Sequence, residues 1–180
     1  HIPFLLNNSR KLFCYKAAGT ERISHKEVRG YELLQGKKVF EGRLLGGCLE
    51  SLYDILTTTR YADEKAVCEK YGIFPPREEW TGKILFVETC EEKPQPALFE
   101  KELKALKDRG VFDVVAGVIV GKPQDEAFYE EYKEIWKKTV NNDQLPIVYN
   151  VNFGHATPRC ALQYGTMARV DMEKKVIIFS

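Results

Sequence analysis

Apolar and polar positions divide the chain into a weakly patterned start and a strongly patterned remainder. Over residues 1–38 polar residues dominate, Gly19, Gly30 and Gly36 interrupt, and no period of 2 or 3.6 residues persists. This predicts a lead-in or interdomain linker, followed by one domain over residues 39–180. The run Val39-Phe-Glu-Gly-Arg-Leu-Leu-Gly-Gly-Cys-Leu49 is strand-like up to Gly46-Gly47, and Leu49, Leu52, Tyr53 and Leu56 then recur at helical spacing. Between Thr57 and Thr81 the paired Pro75 and Pro76 argue for an extended loop ending at Trp80 rather than a helix.

Three uniformly apolar runs follow: Lys83–Glu88, Val114–Val120 and Pro146–Asn150. Such runs mark strands buried on both faces. The first two are separated by a helix opened by Pro94 and Pro96, with Phe99, Leu103 and Leu106 on one side and Gly110 where a left-handed stop belongs. The next gap holds a helix from about Asp125 to Val140, with Phe128, Tyr132, Ile135 and Trp136 facing inward and a stop at Asn141-Asn142. Strands alternating with amphipathic helices predict a parallel sheet with right-handed crossovers. Met167–Val170 and Lys175–Phe179 flank the polar turn Asp171–Lys174 as a terminal hairpin would, so the fold class is α/β with a mixed sheet and flanking helices.

Composition narrows the function classes. With 180 residues, 44% of them hydrophobic, the chain can bury one core. Its 27 basic and 26 acidic residues leave a formal charge of +1, which argues against a nucleic-acid or anionic-membrane partner. No run reaches the roughly 18 apolar residues a membrane helix needs. Five cysteines at wide spacing without a C-x-x-C fit a reducing cytoplasm better than a disulfide framework or a zinc ribbon. The start, HIPFLLNNSRKLF, lacks an initiating Met and the marks of a signal peptide, so the expectation is that the true amino terminus lies upstream.

His155 is the histidine best placed for chemistry, because it follows an apolar strand, whereas His1 and His25 fall in the unpatterned start. Glu88 ends another apolar run. If both strands belong to one parallel sheet, their carboxyl ends share an edge and the two side chains can meet, the carboxylate fixing one imidazole nitrogen and leaving the other to take a proton from a nucleophile. Plainer readings are a strand-end hydrogen bond for His155 and an exposed loop acid for Glu88. No serine occupies a G-x-S-x-G elbow. Cys48, after Gly46-Gly47 and ahead of a helix, could serve as a thiolate or simply pack, and the glycine pair could cradle an oxyanion or simply allow close packing.

Four segments, Glu41–Leu49, Gly82–Glu92, Gly110–Gly121 and Asn150–Pro158, together resemble the carboxy-terminal domain of the LD-carboxypeptidase family, and within it the microcin C immunity branch. The resemblance covers the chain from about Val39 to its end. It implies a swivelling-type β/β/α domain and a Ser-His-Glu triad in which Glu88 and His155 are catalytic and the serine sits on an amino-terminal domain. It further implies no cofactor or metal, a cytoplasmic homodimer, and a small peptide or peptidyl-nucleotide substrate. On that view residues 1–38 join the two domains. Alternatives are murein peptide recycling, a noncatalytic binding or dimerisation module, and a thiol hydrolase using Cys48 or Cys90. Cys48 stands where the family commonly has Asn, and Gln163 where it often has Pro, which bears on substrate preference.

Overall fold

A computed structural model describes residues 4–7, 11–15, 22–58 and 60–180, with side chains from Ser24 onward except His25. His1 and Ser9 lie outside the described residues. Four strands precede the patterned region: β1 (Phe4–Asn7), β2 (Lys11–Tyr15), β3 (Arg22–Lys26) and β4 (Glu32–Gln35). Then come β5 (Val39–Cys48), α1 (Leu49–Thr57), α2 (Glu64–Tyr71), β6 (Ile84–Glu88), α3 (Pro96–Asp108), α4 (Val111–Val114), β7 (Gly117–Gly121), α5 (Tyr129–Val140), β8 (Ile147–Val151), β9 (Met167–Asp171) and β10 (Val176–Phe179).

Eight strands form one mixed sheet in the order β1-β10-β9-β5-β6-β7-β8-β4, while β2 and β3 pair separately. The long β5 joins its two halves. Val39–Arg43 pair antiparallel with β9, and Leu44–Cys48 pair parallel with β6. β6, β7 and β8 continue in parallel, as their apolar runs predict, and β9 and β10 form the terminal hairpin.

Alternation along the strands sorts the core into two layers. Leu85, Val87, Val118, Val120, Ile147 and Tyr149 pack on one face against Phe99, Leu103 and Leu106 of α3, Phe112 of α4, and Tyr132 and Trp136 of α5. Ile84, Phe86, Ile119 and Val148 face the other way, onto Ala168, Val170, Ile177 and Phe179 of the antiparallel half. The sheet therefore curls over itself, giving β/β/α layering in a single domain with flanking helices. Burying both faces is why these strands are apolar throughout.

Three expectations need correction. The lead-in contains strands: β4 adds to β8, β1 adds to β10, and Tyr31 is buried in the second core layer. With only Leu33 and Leu34 apolar, β4 is too short and too polar to show a period. The segment after α1 holds the helix α2, which ends at the left-handed Gly72, so Pro75 and Pro76 lie beyond its end rather than within it. No residue of α2 is buried, hence there is no apolar stripe to read. Finally, Val114 closes the short α4 rather than opening a strand.

Candidate active site

β6, β7 and β8 run parallel, so residues at or just past their carboxyl ends gather on one edge of the sheet. Glu88 is the last residue of β6, and His155 lies four residues beyond the end of β8. His155 Nδ1 lies 2.7 Å from Glu88 Oε2, and the His155 backbone N–H donates to the same oxygen at 3.0 Å. Glu88 is thus a buried partner, 7% exposed, and the reading as an exposed loop acid fails. An ionised Glu88 offers only acceptors, so in that state the proton between the pair belongs on Nδ1. Nε2 is left free of Glu88, on a ring whose side chain is 39% exposed.

Gly154 makes this approach possible. It has φ +92, and a Cβ there would fall 2.6 Å from Glu88 Oε2 and 2.7 Å from Glu88 Cβ. Any side chain would both strain the backbone and push the carboxylate away. Past the histidine the Thr157–Pro158 peptide is cis. Arg159 Nη1 folds back to donate to the His155 carbonyl at 3.1 Å.

Burial pushes the Glu88 carboxyl up, and the hydrogen bonds and positive charge of His155 oppose that rise. Glu91 Oε2 stands 3.3 Å from His155 Nε2 but is 70% exposed, so it can pair with the imidazolium yet is free to leave. Glu91 carried no signal in the sequence, being one of several acids after β6, and only the turn beyond Glu88 brings it to the ring.

Cys48 and Cys90 come to the same edge, but their surroundings favour the thiol. Both thiols are pushed up to about 12 by burial, with Glu50 adding to the effect. Glu50 accepts from Cys48 Sγ at 3.2 Å and from the Cys90 backbone N–H at 2.9 Å, tying the start of α1 to the exit of β6. A carboxylate, not a cation, faces Cys48 at the start of α1, which favours the packed thiol over the thiolate of the two readings the sequence left open. The pair Gly46-Gly47 lies within β5, opposite Phe86 and Val87, rather than in a loop. A Cβ on Gly46 would come 1.8 Å from the Phe86 carbonyl oxygen, so close strand packing accounts for that glycine. Tyr164 Oη donates to the Gly46 carbonyl at 2.6 Å.

A hollow of about 160 Å³ opens beside Glu88, between Gly47, Cys48, Phe86, Phe153 and Leu162. A larger cleft of about 790 Å³ lies away from the Glu88–His155 pair, among Leu56, Cys68, Phe74, Arg77 and Arg109. Among the described residues no group of three or more His, Cys, Asp or Glu could hold a metal ion, and no helix is long and apolar enough to cross a membrane.

Residues 41–170 match the family of the LD-carboxypeptidase C-terminal domain. The chain belongs to the LD-carboxypeptidase family. An MccF-like protein from Streptococcus pneumoniae, crystallised in complex with AMP, is 47% identical. It superposes with a TM-score of 0.91 over 98% of this chain and 52% of its own. An MccF-like protein from Bacillus anthracis str. Ames, 21% identical with a TM-score of 0.74, covers 98% of this chain and 50% of its own. The microcin C7 self immunity protein MccF in complex with aspartyl sulfamoyl adenosine shares the fold, at 20% identity and a TM-score of 0.68 over the same shares. A Treponema pallidum (strain Nichols) protein provisionally named a carboxypeptidase is 33% identical over 98 residues, 52% of this chain and 28% of that protein. This LD-carboxypeptidase chain thus spans about half the length of the solved structures it matches.

Proposed function

We propose that this chain is the carboxy-terminal part of a serine-type hydrolase that cleaves amide bonds in peptidyl or aminoacyl nucleotides. On this reading Glu88 and His155 belong to a Ser-His-Glu triad whose serine is on an amino-terminal domain. The observation that carries it is the 2.7 Å contact between Glu88 Oε2 and His155 Nδ1, on a ring whose Nε2 has only the exposed Glu91 carboxylate, 3.3 Å away, beside it among the ion pairs of the described residues. His155 Nε2 takes the proton as the serine oxygen attacks the amide carbonyl, and Glu88 stabilises the imidazolium. The leaving amine receives that proton, and water, activated by the same nitrogen, releases the acyl group. Glu91 must move aside for the serine to approach, which its exposure allows. The reading includes a cytoplasmic homodimer.

The nucleotide preference is supported by the 47% identical S. pneumoniae protein, which was crystallised with AMP. Cleavage of murein peptides next to a terminal D-residue is the alternative that the family name favours. The full-length protein should be assayed on a processed microcin C analogue and on an LD-tetrapeptide, beside His155→Ala and Glu88→Ala. Both variants are expected to stay folded and to lose about 10²–10⁴-fold in kcat. The better substrate identifies the branch. Undiminished turnover in both would reject the triad and leave a noncatalytic module, or a site elsewhere, as the explanation.

A further inference from the structure

One strand away from Glu88, at the same edge of the sheet, lies a polar cluster closed to solvent. Lys122, the residue after β7, has a side chain 3% exposed, and its ammonium is ion-paired with Glu27, whose side chain is 1% exposed. Lys122 Nζ also donates to Asn150 Oδ1 at 3.2 Å. The Asn150 amide in turn donates to the Gly30 carbonyl at 2.7 Å and reaches Glu27 Oε2 at 3.5 Å. Glu27 completes the cluster by accepting from the backbone N–H groups of Arg29 at 2.8 Å and Gly30 at 3.3 Å.

Isolated charges are not tolerated at such depth, and a pair of them is maintained only where every polar atom is matched. What the cluster holds is the backbone of Asn150, which has φ +68 within a strand, a conformation side chains other than glycine seldom adopt. That left-handed residue sits at a register shift between β7 and β8, where Ile119 pairs with Val148 but Gly121 pairs with Val151. The Lys122 backbone N–H donates to the Val151 carbonyl at 3.0 Å, and Phe153 N–H returns to the same carbonyl at 2.8 Å. Phe153 then seats edge-on against Phe86 with ring centroids 6.0 Å apart, and the next two residues are Gly154 and His155. The path of the histidine loop therefore starts at Asn150.

We propose that Asn150, clamped by Lys122 and Glu27, is a positioning residue that sets the trajectory of the Val151–His155 segment and so the aim of His155 at Glu88. This rests on the Glu88–His155 reading, but the geometry can be tested without it. Glu27 precedes the segment matched by the family, so the clamp also makes the residues leading into β4 part of the site's support.

The test replaces Asn150 by glycine, which keeps the left-handed backbone accessible while removing every side-chain bond. In the 180-residue chain, proton NMR should show the downfield His155 Nδ1–H resonance sharp in wild type and broadened or lost in N150G, with backbone amide dispersion retained. In the full-length protein kcat should fall about tenfold or more with KM unchanged, the signature of a misaimed group rather than lost binding. Should N150G fail to fold, the charge-neutral double variant Glu27→Gln/Lys122→Met replaces it, with the same broadening expected. A wild-type resonance in whichever variant is folded overturns the proposal. Broadening together with full activity of His155→Ala would uphold the positioning role and reject the triad instead, so the two failures are separable.

Discussion

At the scale of single residues, burial decides which ionisable groups are available for chemistry. Glu88 and Glu102 are both acids inside the protein, yet only Glu88 has a partner. Glu102 is 1% exposed, its Oε2 has no hydrogen-bond partner, and burial, with the charges of Glu50 and Asp54 adding to it, pushes the carboxyl up to about 8. Its folded value thus exceeds its unfolded value of 4.5. The folded state holds this proton more tightly, so the associated stability is fully present below pH 4.5, declines as pH rises, and is gone above about 8. Glu102→Gln should remove that decline, stabilising the chain by about 5 kcal/mol at pH 9 and little at pH 4, read as melting temperature against pH. His155 and Glu88 were legible in the sequence because each stands at or near the end of an apolar run. Asn150, Glu91 and Glu102 were not, since their roles depend on contacts across strands or helices that no local spacing encodes.

At the scale of elements, legibility followed burial. β6, β7, β8, α3 and α5 carry either continuous apolar runs or one apolar face, and each was readable to within a few residues. α5 starts at Tyr129 rather than Asp125 because Asp125, Glu126 and Phe128 all have positive φ, which delays the helix. Elements with little buried surface, such as β4 and α2, left no pattern. β4 nonetheless matters energetically, because the segment before it delivers Glu27 to Lys122. A chain beginning at Val39 would bury Lys122 without a counter-charge and lose a strand. It should be less stable than one beginning at Arg22 by at least about 3–5 kcal/mol in urea titration, and Lys122→Met should recover part of that loss. Equal stability of the two chains would place the working boundary of the domain at Val39.

At the scale of the whole molecule, the candidate site is an edge rather than an enclosed pocket. Its histidine is 39% exposed, and the chain spans about half of the solved structures it resembles. If the serine is on the other half, the 180-residue chain by itself should fold and show no hydrolysis, and adding the separately expressed amino-terminal half should restore turnover; hydrolysis by this chain alone would require a nucleophile within it. The curl of the sheet has a consequence for how the molecule holds together. Because β5 gives its first five residues to the antiparallel half and its last five to the parallel half, neither half can detach while β5 stays in place. The two core layers should therefore melt as one cooperative unit, with the edge that carries Glu88 drawing rigidity from strands in the other half of the sheet.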